Sequence, residues 1–373
     1  MSKITIKEQE EYIKKLVEYG DKLKTDKELV GNILNNHLYN IPHKKLYKFR
    51  TCSNKNLETL RENCIWMPSA CSFADTFDSC LNIDLKENYP AIESWFNTSF
   101  REYIFELLKQ QFENRGVAFH YTLKDFNGYI ETCTNDDYTI NKEKEIEFFK
   151  KTATSEQLQH FDEAMEQLSK FRDYIESQDE NFIESFKCLL EQLRTQFRNS
   201  LLTYCMTENY DIHTLWENYA NNYTGFCIEY SFDNINEKVY DFENLLYLLP
   251  MQYCDVPPIF DIIPVFDAAI REKLYGDYSY RRNPDLITNM FMQLYFKKSD
   301  YSYEKEWRFS IDQKQSNKHF FPFVSAIYAG KNIKKHNLSR LKNIAKTLGV
   351  PLYRQEFNKF RNGYDYNIFE EKE

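Results

Sequence analysis

The stretch Tyr301-Ser302-Tyr303-Glu304-Lys305-Glu306-Trp307-Arg308-Phe309 reads as a β-strand, late in a chain whose middle reads as helix. Side chains alternate along a strand, so Glu304, Glu306 and Arg308 share one face and Lys305, Trp307 and Phe309 the other. One face carries two acids and a guanidinium, and the other carries aromatic packing surface. Two carboxylates at i and i+2 either cover a solvated sheet, where exposed ion pairs contribute little, or converge on chemistry that needs both. Chemistry with oxocarbenium character uses one carboxylate to orient a sugar hydroxyl and stabilise positive charge, and the other to activate or position an acceptor.

Working outward, Leu46–Arg50 alternates like a strand and Ile65–Ser69 is a second one stopped by Pro68. Between them, residues 53–61 read as a short capped helix. Leu201–Met206, Phe226–Tyr230, Phe323–Ala329 and Leu352–Phe357 supply further strands. Residues 6–36 show helical spacing, and from about 90 to 200 the pattern is helical and charged, interrupted by a loop at 128–137. Trp216 and Tyr219 fall at i and i+3 of a short helix, and both are expected in the core. Pro250–Pro264 reads as a surface loop. Strands and helices interleave irregularly, which predicts an α+β fold with a compact, mostly antiparallel mixed sheet. The expected organisation is an N-terminal helical arm over 1–45 and a single domain over 46–373, with a helical insertion at about 90–200.

The 373 residues carry a net charge of −9, with 42% hydrophobic and 17% aromatic content. That composition folds rather than staying disordered, and the charge opposes nonspecific nucleic-acid binding by the chain as a whole. Locally, nine Lys/Arg and a single acid (Glu356) lie between Lys331 and Arg361, so this segment is a candidate contact for nucleic acid or an acidic partner. Only 9 glycines occur, and neither GxGxxG nor GxxxxGK[ST] is present, which excludes those two nucleotide-binding architectures. The nine cysteines lack CxxC spacing and the seven histidines lack HxxxH or HxH, so no metal is expected from spacing. With no apolar signal region and no membrane-length run, the expectation is a reduced, cytoplasmic protein without membrane contact.

Three further groups bear on chemistry. Lys48 and Arg50 share a face of the first strand, opposite Tyr47 and Phe49. They suit either an edge strand or a phosphate held by the planar guanidinium. The run Ser69-Ala-Cys-Ser72-Phe-Ala-Asp75-Thr-Phe77-Asp78 offers caps for its own turns, or a loop lining a cleft beside Arg50. Asp75 and Asp78 with Glu306 form a conceivable hard-metal set for a nuclease or phosphohydrolase.

The order of these segments is informative. Leu-Tyr-Lys-Phe-Arg (46–50), Ile-Trp-Met-Pro-Ser (65–69), Phe73–Asp78, Trp216-x-x-Tyr219, Gly225–Glu229, Tyr303–Arg308 and Ile327–Gly330 together resemble the bacterial family called domain of unknown function 2971 (DUF2971). Members of that family are mostly uncharacterised and often sit in defence-related contexts. Ala74 and Thr76 depart from the family's Phe-Asn-Asp-Pro-Phe-Asp run. The same order is similar to the layout of ADP-ribosyltransferases. That resemblance implies NAD as substrate, Arg50 on its phosphates or nicotinamide ribose, and Ser69 in support. It implies Glu306 on the ribose 2′-hydroxyl and Glu304 handling the acceptor. Tyr47, Lys48, Asp75, Phe77 and Arg308 complete the expected NAD site. The implied activity is ADP-ribosyl transfer or NAD hydrolysis, as an anti-phage or toxin-like effector with a protein or nucleic-acid acceptor. The rival expectation is a non-catalytic sensor or partner-binding module.

Overall fold

A computed structural model describes residues 4–73, 75, 78–135, 139–177, 180–233, 243–279, 283–312, 315–360 and 363–369. Among these residues the strands, in chain order, are β1 (Lys45–Arg50), β2 (Cys64–Trp66), β3 (Leu201–Thr207) and β4 (Phe226–Ser231). They continue with β5 (Leu249–Pro250), β6 (Gln252–Cys254), β7 (Phe296–Lys298) and β8 (Glu306–Asp312). The last four are β9 (Lys318–Phe320), β10 (Val324–Ala329), β11 (Leu352–Asn358) and β12 (Gly363–Ile368). The fold is α+β. The chain divides into two compact units, one of Met1–Asn82, Thr195–Pro258 and Ile287–Glu373, the other of Ile83–Arg194 and Ile259–Leu286.

The first unit is built on an eight-stranded sheet ordered β12-β11-β10-β4-β1-β3-β8-β5. Its ladders are antiparallel except for β10 with β11. Alternation gives each strand two characters. Tyr204, Met206, Phe226, Ile228, Trp307 and Phe309 enter one core, together with Leu34 and Leu38, Leu57 and Leu60, and Leu338, Leu341 and Ile344 from three helices. Full burial of each such side chain contributes roughly 1.5–3 kcal/mol. On the opposite face, Tyr47, Phe49, Cys227 and Tyr328 pack against Leu215, Trp216 and Tyr223.

Residues 6–36, read as one helix, form three: Ile6–Tyr19, Lys22–Thr25 and Lys27–Leu38. Gly20 at φ 49° stops the first, and the Asp26 carboxylate caps the third at the Leu29 amide. Both are ordinary helix-boundary chemistry. β12 extends the sheet past the strand expected to be last, and its Tyr364 and Tyr366 share one face. Gly225 and Gly330 sit where β4 begins and β10 ends, and a Cβ on either would overlap main-chain atoms. At Gly225 it would come within 2.9 Å of the Ala220 oxygen. Only glycine permits such an approach.

The second unit is helical. Phe105, Phe126, Tyr129, Leu168 and Phe171 form its core. The loop expected at 128–137 is largely helix, Leu123–Cys133, because a Thr122/Asp125 capping box starts it and Tyr129, Ile130 and Cys133 are buried; residues 136–138 lie outside the described residues. Glu145 is buried but accepts from Tyr129 Oη at 2.6 Å and, through both its oxygens, from Arg172 Nη2 at 2.6 Å. Such full pairing lets a carboxylate be buried. No described helix is long and apolar enough to cross a membrane.

Candidate functional site

The site lies within the first unit, on the sheet face shared by Glu306 and Arg308. The expected strand over Tyr301–Phe309 starts only at Glu306; Ser299–Glu304 is a 3-10 turn, and Lys305 between them is left-handed at φ 43° and ψ 51°. A non-glycine residue there is strained. The irregular turn nevertheless delivers both acids to one cation: Lys297 Nζ, from β7, donates to Glu304 Oε2 at 2.6 Å and to Glu306 Oε2 at 2.8 Å. Alternation was the wrong reason for the right convergence.

Arg308 completes the network. Its Nε donates to Glu306 Oε1 at 2.8 Å, and its fork grips Asp78 Oδ1 at 2.6 Å and Oδ2 at 3.1 Å. It also donates to Ser79 Oγ at 2.6 Å and the Leu294 carbonyl at 3.1 Å. Lys297 lies 3.8 Å from Asp78 Oδ2. All five charged side chains are buried. Burial opposes the charge on Glu306, but Arg308 and Lys297 outweigh it and hold its carboxyl well below the usual range. Burial also opposes the charge on Lys297, yet Glu306, Asp78 and Glu304 together hold it above the usual lysine range. Glu306 and Lys297 are therefore ionised at neutral pH.

This network floors a cavity of about 350 Å³, within the range of small-ligand sites. Tyr47, Phe49, Phe73, Tyr219 and Tyr301 give it aromatic walls, and Lys48, Asp75, Cys205 and Thr207 also reach it. Lys48 and Met206 would be assigned to the other face by alternation. They line this cavity because β1 and β3 pair at a single position, Tyr47 with Thr207, so the sheet parts beyond it. Among the described residues Lys48 has no carboxylate partner; its ammonium lies over the Tyr204 ring at 5.2 Å. Burial, and then Arg50, push it down to about 8. Burial pushes the Cys205 thiol up to about 12, which leaves it protonated and a poor nucleophile.

The residues expected from sequence divide clearly. Glu304, Glu306, Arg308, Lys48, Tyr47 and Asp75 meet at the cavity. Arg50 and Ser69 do not line it. Arg50 reaches the Trp66 carbonyl at 3.4 Å and lies over Tyr204. Ser69 caps the turn Ala70–Ser72 and points its hydroxyl at the Arg198 carbonyl. Phe77 lies outside the described residues. Lys297 escaped the sequence reading, having no motif around it, as did the structural role of Asp78. Tyr219 was expected in the core beside Trp216. Trp216 is buried, but Tyr219 is 48% exposed and donates to Glu304 Oε1 at 3.0 Å. A tyrosine flanked by Asn218, Ala220 and two further asparagines was the available hint.

A buried three-acid, two-cation floor beneath aromatic walls is the candidate site of this α+β protein. Residues 215–309, about a quarter of the chain, match the family model described as protein of unknown function (DUF2971). The match supports the DUF2971 resemblance read from the motif order, over a segment that holds Tyr219, Lys297, Glu304, Glu306 and Arg308. No curated protein and no solved structure matches the chain.

Proposed function

We propose that this cavity breaks the N-glycosidic bond of a nucleotide of the NAD class, transferring ADP-ribose to an acceptor or to water. One observation carries the reading: Glu304 and Glu306 share the Lys297 ammonium at the floor of an aromatic-walled cavity. Both Glu306 oxygens are engaged by cations, whereas among the described residues Glu304 Oε1 meets only the neutral Tyr219 hydroxyl. Glu304 is therefore the carboxylate suited to a ribose hydroxyl and to the oxocarbenium charge, with Glu306 fixing the ammonium and guanidinium around it. The C1′–N bond breaks with its electron pair passing to the nicotinamide nitrogen, which neutralises the pyridinium. An acceptor oxygen then bonds C1′ and gives up its proton to Glu304. The cavity suits the nicotinamide riboside half of NAD, with the phosphates toward Lys48.

The proposed setting is cytoplasmic, as a bacterial anti-phage or toxin-like effector, on the strength of the family's contexts. A protein or nucleic-acid acceptor would approach the basic segment 331–361. There the helix Lys335–Leu348 buries Leu338 and Leu341 and leaves Lys335 and Lys346 exposed. The metal-hydrolase alternative gains no support here, since Lys297 and Arg308 occupy the positions between the acids where a hard cation would sit.

The test is nicotinamide release from NAD by the purified chain with EDTA and lysate acceptors present. Wild type is expected to release it, and Glu304→Gln to be slower by about 100-fold or more with an unchanged circular dichroism spectrum. No release by wild type, or equal release by the variant, overturns the assignment. Lys48 adds a pH signature. It is charged below about 8, so ADP-ribose affinity should hold at neutral pH and fall as pH rises through and beyond that value, approaching about tenfold per unit. Calorimetric titration across that range reads it out, and a flat profile would remove Lys48 from the phosphate site.

A further inference from the structure

The geometry points to a transition-metal site in the helical unit, formed by His120, His160 and Glu163 and best suited to Zn²⁺. Their ligand atoms lie within 4.8 Å of one another. His120 Nε2 is 3.1 Å from Glu163 Oε2, and His160 Nδ1 is 4.0 Å from the same oxygen. In a tetrahedral site with bonds of about 2.0–2.1 Å, neighbouring ligand atoms stand about 3.4 Å apart. The three atoms are thus close enough for side-chain rotation to let them enclose an ion. The imidazoles are stacked, with centroids 5.1 Å apart and planes inclined by 17°, so the half-exposed His160 ring turns to aim its in-plane lone pair at that ion.

The surroundings of His120 are what a metal ligand requires. Its side chain is 1% exposed. Its amide donates to Gln167 Oε1 at 2.8 Å and its carbonyl accepts from Gln157 Nε2 at 2.8 Å, so two buried glutamines hold the backbone. Gln167 also donates to the Ala118 carbonyl at 2.8 Å, which steadies the approach to it. The other ring nitrogen, Nδ1, is buried without a hydrogen-bond partner and lies 3.7 Å from Glu156 Oε1. A small approach of Glu156 would complete a carboxylate–histidine–metal arrangement, with Nδ1–H donating to Glu156 and Nε2 facing the ion. His160 and Glu163 are 46% and 43% exposed, so an ion can enter and a water can fill the fourth position.

Two imidazoles with one carboxylate suit Zn²⁺ better than Mg²⁺ or Ca²⁺, which favour all-oxygen sets. The ion would tie the loop before Leu123 to the first turn of the helix Phe161–Glu176, with Glu156 of the helix Ser155–Gln159 behind it. No local spacing announces the site, because its two histidines are 40 residues apart. It departs from the sequence expectation of no metal and is independent of the NAD reading.

The test is Zn²⁺ binding by the full chain, measured by competition with a chromophoric chelator, alongside a Co²⁺ absorption spectrum. Wild type should bind one ion at this site, with a Co²⁺ spectrum free of the thiolate charge-transfer band that any of the nine cysteines would add. His160→Ala and Glu163→Gln, both at half-exposed positions, should each lose about 100-fold or more in affinity. Glu156→Gln should lose about tenfold, as outer-shell partners do. No binding by wild type, a thiolate band, or undiminished affinity in His160→Ala and Glu163→Gln would each overturn the site.

Discussion

Replacing Arg308 with leucine is expected to lower folding stability by about 3–5 kcal/mol, enough to unfold many domains at ambient temperature. Arg308 is fully buried, and its guanidinium joins β8 to the Asp78–Ser79 turn and to the Leu294 carbonyl. Leucine would leave Asp78 and Glu306 as buried anions with Lys297 the one cation facing them among the described residues. The penalty is the cost of those uncompensated charges rather than the worth of the salt bridges, because pairing does little more than offset desolvation. Arg308→Lys keeps the charge but not the fork that grips Asp78 and Glu306 together, so an intermediate loss is expected. Urea midpoints at constant m-value measure all three proteins. A shift below about 1 kcal/mol for Arg308→Leu would mean that water reaches the network and that the cavity floor is looser than its geometry implies.

Glu306→Gln is expected to slow the proposed NAD cleavage by about 100-fold or more, through positioning rather than contact with substrate. Both of its oxygens hold cations, so an amide in its place would present an NH₂ to either Lys297 or Arg308. Lys297 would then swing toward Glu304, drawing off the negative potential meant for the oxocarbenium ion. A readout separate from turnover identifies the residue. Its carboxyl is held below the ordinary range in the folded chain. Its ion pairs therefore contribute fully above the unfolded value of about 4.3 and are lost as pH falls through the lower folded value. Wild-type stability should drop as the solution is acidified below about pH 4.5, and the Gln variant should lose less over the same interval. Identical acid profiles would show that Glu306 is not the ionised partner described, whatever happens to turnover. If Glu304→Gln is inert in turnover and Glu306→Gln is not, the roles of the two acids are reversed.

The candidate site was partly legible because of one kind of locality. Glu304, Glu306 and Arg308 lie within five residues, and acids beside an arginine in an aromatic strand stand out in text. Their partners do not. Asp78 is 230 residues from Arg308, and Lys297 sits in an unremarkable Phe-Lys-Lys run. Arg50 and Ser69 show the converse failure. A basic residue on an early strand and a serine after a proline fit the family layout, yet β1 turns Arg50 toward Tyr204, and Ser69 is used up in capping its own turn.

What the sequence determined by itself is what short-range physics controls: strand alternation, helix caps, the glycine-dependent turns, and hence an α+β fold with one aromatic and one charged face on β8. Period-two and period-3.6 patterns depend only on neighbouring residues, so they survive without knowledge of the fold. The tertiary structure decided which distant charges meet. The parting of β1 from β3 opens the cavity to Lys48, the left-handed Lys305 brings Glu304 to Lys297, and Arg308 pulls in Asp78. Lys297 and Glu304 are only seven residues apart, but Arg308 and Asp78 are 230 apart, and all of them are desolvated together. The energy of a buried charge is fixed by whatever surrounds it in space, and no spacing along the chain encodes that.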